Sequence, residues 1–363
     1  MEEACRLNKK ALIAMSGGVD SSVAAFLTKQ QGFECIGATM KLFNNDDVHV
    51  ASEKSCCSLE DVEDARSVAL SLGMPYYVFN FTDRFKEDVI DRFVAAYENG
   101  ATPNPCVDCN RYLKFEKLFS RARELDYDYV VTGHYARIEY NEATGRYNLK
   151  KAIDETKDQT YFLYSMTQEQ LEHTLFPLGN LRKTEVRKIA GENGFVNAKK
   201  HDSQDICFVQ NGKYADFIKE YTKKDYLSGD FVLKDGTVLG KHNGIIHYTI
   251  GQRKGLGISY KEPLYVTEIN VAENKVVLGN NSDLFTSTLY ANNINLISVS
   301  DIEKPIKIKA KVRYSQSDQD ATVVKVDEDL IKIEFDQPQR AITKGQAVVL
   351  YDGDNVLGGG TII

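Results

Sequence analysis

The chain has 363 residues, 42% hydrophobic and 27% charged, with seven cysteines and a formal net charge of −7 at neutral pH. That length can bury two or three cores, while no apolar run approaches the ~20 residues a membrane helix needs, so no membrane partner is expected. The acidic balance excludes a protein that coats nucleic acid indiscriminately, but not one that holds a single RNA on a local basic surface.

The first ten residues, MEEACRLNKK, are too polar for a secretory signal. With an odd number of cysteines, they point to a reducing cytoplasm in which cysteines serve as thiols or metal ligands. Next comes ALIAM, a buried strand, and then SGGVDSS, which turns on two glycines into a helix over 20–31. A strand, a glycine turn and a helix N-terminus make an anion site, because backbone N–H groups and the helix dipole converge there. It is not a Walker A loop, since no GK[ST] follows and no lysine reaches into the turn. Ser16, Ser21 and Ser22 supply hydroxyls instead, and Gly17 and Gly18 let the backbone approach a phosphate. Asp20 would repel that phosphate unless it caps the helix or acts through Mg²⁺.

Strand patterns continue at FECIGATMKL, PYYVFNF and DYVVTG, and helical ones at 59–72, 82–98 and 110–125, with Ser58 as an N-cap candidate. This alternation predicts an α/β fold, a doubly wound, mostly parallel sheet with helices on both faces and ligands beyond the carboxyl ends of its strands. SGGVDSS, TMKLF and VTGHYAR all lie at such ends. A hairpin is expected over Thr144-Gly145, then helices at 168–174 and 182–193. From about 229 onward, short Val/Ile/Leu/Tyr runs broken by Gly, Asn and Asp predict two small β-rich domains. The expected division is 1–203 catalytic, 204–285 central, and 286–363 a six-strand, barrel-like module.

The second informative stretch is TPNPCVDCNRYLKF. Pro103 and Pro105 hold the approach extended, and Asn110 caps a helix starting at Arg111. Cys109 then lies at a helix N-terminus beside Arg111 and Lys114, where a thiolate is favoured. Cys106-x-x-Cys109 also reads as half a zinc site or a redox pair, but Cys56-Cys57 is adjacent rather than spaced as a second zinc half would be. A third thiol, Cys207, follows much later in SQDICFV; alone it would read as a small buried hydrophobe. An adenylating loop combined with two loop thiols points to activation of a carbonyl oxygen followed by sulfur attack.

SGGVDSS, MKLF, TPNPCVDCNRYLKF, TGHYAR, KDQTYFLY, LGNLRKTEVR, SQDICFV, GQRKGLG and the terminal KVRYSQ and RAITKGQAVVLYDG occur in this order along nearly the whole chain. In this it resembles the tRNA-specific 2-thiouridylases, members of the ATP-pyrophosphatase superfamily with an adenine nucleotide alpha-hydrolase-like fold. The resemblance implies ATP with Mg²⁺, and nucleotide contacts at Ala14, Met15, Ser16, Gly17, Gly18, Val19, Asp20, Ser21, Met40 and Gly133. Met40 reads equally as core filler. The resemblance also implies a persulfide on Cys207, Cys109 as nucleophilic partner thiol, and a transient Cys109–Cys207 disulfide. It puts Asn104, Pro105 and Cys106 against the target base, and His134, Lys157, Asp158, Gln159, Arg313, Tyr314 and Gln346 on the tRNA. The implied partners are glutamate, glutamine and lysine tRNAs and a cysteine desulfurase or sulfur-relay protein.

One position departs from the family pattern. Where NPD-x-x-C is usual, this chain has Cys106, so the acid is missing and a third thiol is added. Cys106, Cys109 and Cys207 could then hold an iron–sulfur cluster. The rival readings are an amidotransferase-type adenylating synthetase and a non-catalytic RNA-binding module. Cys5, Cys35, Cys56 and Cys57 are assigned no role.

Overall fold

The computed structural model describes residues 9–43, 59–200, 206–209 and 212–363. Ser58, Cys5, Cys56, Cys57 and the Ser203-Gln204-Asp205 part of SQDICFV lie outside the described residues. The chain divides into two compact units, and neither is continuous in sequence. The first is Met1–Val89, Cys106–Gly212 and Asp354–Val356; the second is Ile90–Pro105, Lys213–Gly353 and Leu357–Ile363.

The first unit opens with β1 (Lys10–Ala14), α1 (Val19–Gln30), β2 (Glu34–Lys41), α2 (Leu59–Ser71) and β3 (Tyr76–Asn80). Helix α3 (82–98) follows, and the unit boundary falls within it. Helix α4 (105–124), β4 (Tyr129–Val131), the hairpin β5 (Arg137–Asn141) and β6 (Arg146–Lys150), α5 (Gln168–Glu172), β7 (Thr174–Leu175) and α6 (Lys183–Glu192) complete it. Five strands form an all-parallel sheet in the order β3-β2-β1-β4-β7. Alternate β1 residues serve opposite faces, as the pleat requires. Ala11 and Ile13 pack with Val23 and Ala24 of α1, Ala65 and Val68 of α2 and Val186 and Ala190 of α6; Leu12 packs with Leu118 and Phe119 of α4. The fold is therefore the expected doubly wound α/β sheet. Strand order reverses between β1 and β4, which places the ligand crevice at their carboxyl ends.

Two helices differ from expectation. α4 starts at Pro105, not at Arg111. A proline's fixed φ and missing N–H suit the first helical position, so Pro105 opens the helix instead of holding the approach extended. Asn110 is consequently no cap: it is buried inside the helix, with Nδ2 donating to the Phe162 carbonyl at 3.4 Å. Both long helices also contain π-type winding, over Lys86–Asp91 and Cys109–Lys117.

In the second unit, α7 (Tyr214–Thr222) precedes a four-stranded sheet of β8 (Gly229–Leu233), β9 (Val238–His242), β10 (Tyr265–Asn270) and β11 (Lys275–Gly279), ordered β10-β11-β8-β9. Tyr214 of α7 stacks on Tyr97 with ring centroids 4.7 Å apart, and Phe217 meets Phe93 edge-on. Six further strands follow: β12 (Phe285–Leu296), β13 (Ile306–Lys311), β14 (Gln319–Asp327), β15 (Leu330–Arg340), β16 (Ala347–Asp352) and β17 (Asn355–Ile362). β12 pairs with both β15 and β17, so the six close into a barrel. Along β13, Ile308 and Ala310 face the barrel core while Lys307 and Lys309 face outward. Among the described residues, no helix is long and apolar enough to cross a membrane.

Candidate nucleotide and sulfur site

The turn between β1 and α1 is held from several sides. Gly17 has φ +73°, and a Cβ there would lie 2.3 Å from the Asp61 carbonyl oxygen, so only glycine fits. Gly133, just past β4, lies so close to α1 that a Cβ would be 2.7 Å from the Asp20 carbonyl carbon and the Ser21 nitrogen. The ends of β1 and β4 therefore meet at the first turn of α1, where N–H groups have no intrahelical acceptor. The Ser21 and Ser22 hydroxyls donate to the Gly18 carbonyl at 3.0 and 3.1 Å, and Ser21 Oγ accepts from the Ser16 N–H at 3.2 Å. The buried Asn197 adds Nδ2 bonds to the Gly17 carbonyl and to Ser22 Oγ, both 2.9 Å. Ala14 ends β1, Met15 is tied to β2 by its N–H bond to the Ala38 carbonyl at 2.8 Å, and Val19 is buried. Met40 lies half-buried on the core beneath β2, alongside Phe79 and Phe81.

Asp20 neither caps α1 nor faces the turn unpaired. Both of its carboxylate oxygens accept from Lys183 Nζ at 2.8 Å, and the Tyr135 hydroxyl donates to Oδ1 at 2.8 Å. A lysine thus does reach the loop, delivered by α6 from the LRKTEVR motif. Asp154 fixes that helix start by accepting the Lys183 N–H at 2.9 Å, and this bond, first among its causes, holds the Asp154 carboxyl below its ordinary value. Lys200 makes a second ion cluster, donating to Asp61 and Asp64 at 2.7 Å each.

Four described cysteines are thiols rather than half-cystines: Cys35, Cys106, Cys109 and Cys207. Cys35 is buried, and desolvation pushes its thiol up to about 11. Cys106 is exposed in the first turn of α4, so the place where a helix dipole favours an anion belongs to it. Cys109 is half-buried one turn further on, where the winding changes to π-type, not at the N-terminus. Cys207 is half-buried in a short turn anchored by Phe208, which packs edge-on against Phe85 at 5.6 Å. It is not the small core residue that an isolated reading suggests.

His134 is buried between Phe115 and Phe176. Its Nε2 lies 3.4 Å from Lys114 Nζ, which can only donate, so the ring proton is assigned to Nδ1, 2.6 Å from Thr132 Oγ1. Burial and then the Lys114 charge hold this imidazole well below 6.5. Asp158 is also buried, accepting the Ala152 N–H at 3.0 Å and the Thr160 hydroxyl at 2.7 Å. Gln159 pairs with Tyr135 through its side-chain oxygen and its backbone, both at 3.0 Å. Lys157 is half-buried beside them.

In the second unit, Arg313 Nη2 donates to the Ala341 carbonyl at 2.9 Å, to Thr343 Oγ1 at 2.5 Å and to the Ile250 carbonyl at 3.3 Å. Tyr314 is exposed, with Lys311 Nζ 5.3 Å from its ring centroid. Gln346 Nε2 donates to the carbonyls of Thr102 at 2.7 Å and Pro103 at 3.1 Å. Asn104 is half-buried and Pro105 buried at the start of α4.

Residues 9–211 match the family model for the tRNA methyl transferase HUP domain, 215–280 the tRNA methyl transferase PRC-barrel domain, and 286–362 the aminomethyltransferase beta-barrel domain. The chain is 56% identical over 356 residues to a tRNA-specific 2-thiouridylase of Clostridioides difficile strain 630, covering 98% of each chain. It is 51% identical to one from Clostridium acetobutylicum, covering 98% of this chain and all of the relative. The chain belongs to the tRNA-specific 2-thiouridylase family.

For a 2-thiouridylase-family chain, the donor arrangement bears on two of the implied groups. Among the described residues, no three His, Cys, Asp or Glu side chains gather into a set able to hold a metal ion. Asp20, the carboxylate of the loop, has both oxygens on Lys183 Nζ. Sequence reasoning missed Lys183, Tyr135, Asn197 and Lys200. The LRKTEVR and TGHYAR motifs carry the first two, but nothing in the local pattern says which acid they serve.

Proposed function

We propose that this 2-thiouridylase-family protein uses ATP to replace oxygen by sulfur at C2 of the wobble uridine in tRNA. The observation that carries the reading is an anion loop closed by Gly17 and Gly133 in the same unit as two partly accessible thiols, Cys109 and Cys207. The near-full-length likeness to proteins named for this reaction supports it.

In this reading residues 1–203 form the catalytic module, 204–285 the central one and 286–363 the tRNA-binding barrel. ATP lies with its phosphates over Ser16–Ser21, and Met40 and Gly133 border the nucleoside. The uracil C2 oxygen attacks the α-phosphorus and expels pyrophosphate, which converts a poor leaving group into AMP. Loop N–H groups and the Lys183 ammonium offset the charge that builds up on the phosphates. The terminal sulfur of a Cys207 persulfide, loaded by a cysteine desulfurase or relay protein, then attacks C2 and releases AMP. The Cys109 thiolate attacks Cys207 Sγ, which breaks the sulfur–sulfur bond, leaves sulfur on C2 and forms a Cys109–Cys207 disulfide. A cellular dithiol supplies the two electrons that restore both thiols, as a reducing cytoplasm permits. Asn104, Pro105 and Cys106 face the base, splayed from the anticodon loop of glutamate, glutamine or lysine tRNA. Lys157, Tyr314 and the outward lysines of β13 suit phosphate and base contacts.

Mass analysis of tRNA nucleosides tests this. Cys109→Ser and Cys207→Ser should each abolish 2-thiouridine while tRNA-dependent ATP–pyrophosphate exchange persists. Thiolated tRNA from the Cys207→Ser protein would overturn the persulfide assignment. Exchange without any need for tRNA would favour a small-molecule synthetase.

A further inference from the structure

We propose that the barrel turn 341–346 is a positioning element for the loop that carries Asn104, Pro105 and Cys106, with Gln346 as its positioning residue. This rests on the thiolation reading and adds a task for the barrel beyond holding RNA. The two Nε2 hydrogens of Gln346 go to two consecutive carbonyls, those of Thr102 and Pro103. Only the amide nitrogen can face two acceptors, so the side-chain orientation is fixed. The Thr102 N–H returns a bond to the Lys344 carbonyl at 2.8 Å. Between them, Gly345 (φ +86°) comes so close that a Cβ would lie 3.2 Å from the Thr102 oxygen.

The turn has a firm base of its own. Arg313 binds the Ala341 carbonyl and the Thr343 hydroxyl, and backbone bonds of 2.9 Å join Gly345 and Gln346 to Ile362 of β17. Ala341 itself sits in the left-handed region at φ +55°. On the other side of the clamp, Asn104 alone separates Pro103 from Pro105, the first residue of α4, and Cys106 follows. Both prolines have restricted φ, so little freedom remains between the clasped carbonyls and the thiol. Arg313 and Gln346, which the family resemblance puts on tRNA, both have donors committed to this linkage.

Gln346→Met keeps the length and neutrality of the side chain but removes the donor. Since a displacement of ~1 Å can cost up to about 100-fold in rate, single-turnover thiolation at saturating tRNA should fall by roughly 5- to 20-fold, with tRNA affinity within about twofold. Amide exchange over Thr102–Val107 should rise by about tenfold or more as the local bonds open. Gln346→Asn, too short to reach, should behave alike and serves if the Met variant folds poorly. Unchanged exchange overturns the linkage. Weakened tRNA binding with an unchanged saturated rate overturns it too, and makes Gln346 an RNA contact. If the unaltered protein thiolates no tRNA, the thiolation reading falls, and the exchange measurement alone decides whether the clamp exists.

Discussion

A carboxylate in the first turn of the helix proposed here to hold phosphate would work against that ligand, and Lys183 answers it. The ammonium takes both Asp20 oxygens at 2.8 Å, with side chains 11% and 31% exposed for Lys183 and Asp20. Lys183→Met removes the counter-ion and leaves Asp20 with the Tyr135 hydroxyl, which should cost about 1–3 kcal/mol, less than for a fully buried pair because Asp20 keeps some water. Asp20→Asn with Lys183→Met should recover most of that in urea unfolding; a double variant no more stable than the single one would deny the pairing. If Lys183 also offsets phosphate charge, the double variant should still bind ATP more weakly than Asp20→Asn alone. His134 gives a pH signature. Its folded-state value is depressed, so the native protein binds fewer protons than the unfolded chain below 6.5. Its contribution is therefore present above 6.5 and lost as pH falls. The slope reaches at most about 1.4 kcal/mol per pH unit. His134→Gln should flatten that acid-side slope, and equal slopes in the two proteins would refute the assignment.

At the scale of elements, the meeting of β4 with α1 depends on the missing side chain at Gly133. Gly133→Ala must push the first turn of α1 away from a Cβ 2.7 Å from its backbone. Overpacking of this kind costs about 1–3 kcal/mol, and calorimetry should show ATP affinity falling by roughly tenfold or more. Gly191→Ala, with nothing within 4 Å of the new carbon, is the control that should leave binding intact. The four longer strands of the parallel sheet were legible because continuous apolar runs ended in glycine or polar turns. β7 was not, being two residues long. α4 was misplaced because a proline that opens a helix and one that extends a loop look alike in sequence. α7 went unread because its apolar face is brief and its partners, Phe93 and Tyr97, lie more than a hundred residues earlier. π-type winding has no local signature to read.

Across the whole molecule, the architecture was legible and the linkages were not. Alternating strands and helices imply a parallel sheet, and regular turn spacing implies a barrel, because both patterns repeat along the chain. The site's fine structure depends on pairs such as Lys183 with Asp20, 163 positions apart, and Gln346 with Thr102, 244 apart. Residue type announces that such groups need partners; only the folded chain chooses them.

The interleaving of the two units has an evolutionary edge. A gene cut after codon 212 would look like clean fission between recognisable modules, yet the excised barrel would carry a clasp shaped for carbonyls left behind on the other fragment. Exchange of barrels among related genes should therefore succeed where the incoming barrel keeps the amide that grips those carbonyls, since backbone carbonyls are present in every relative.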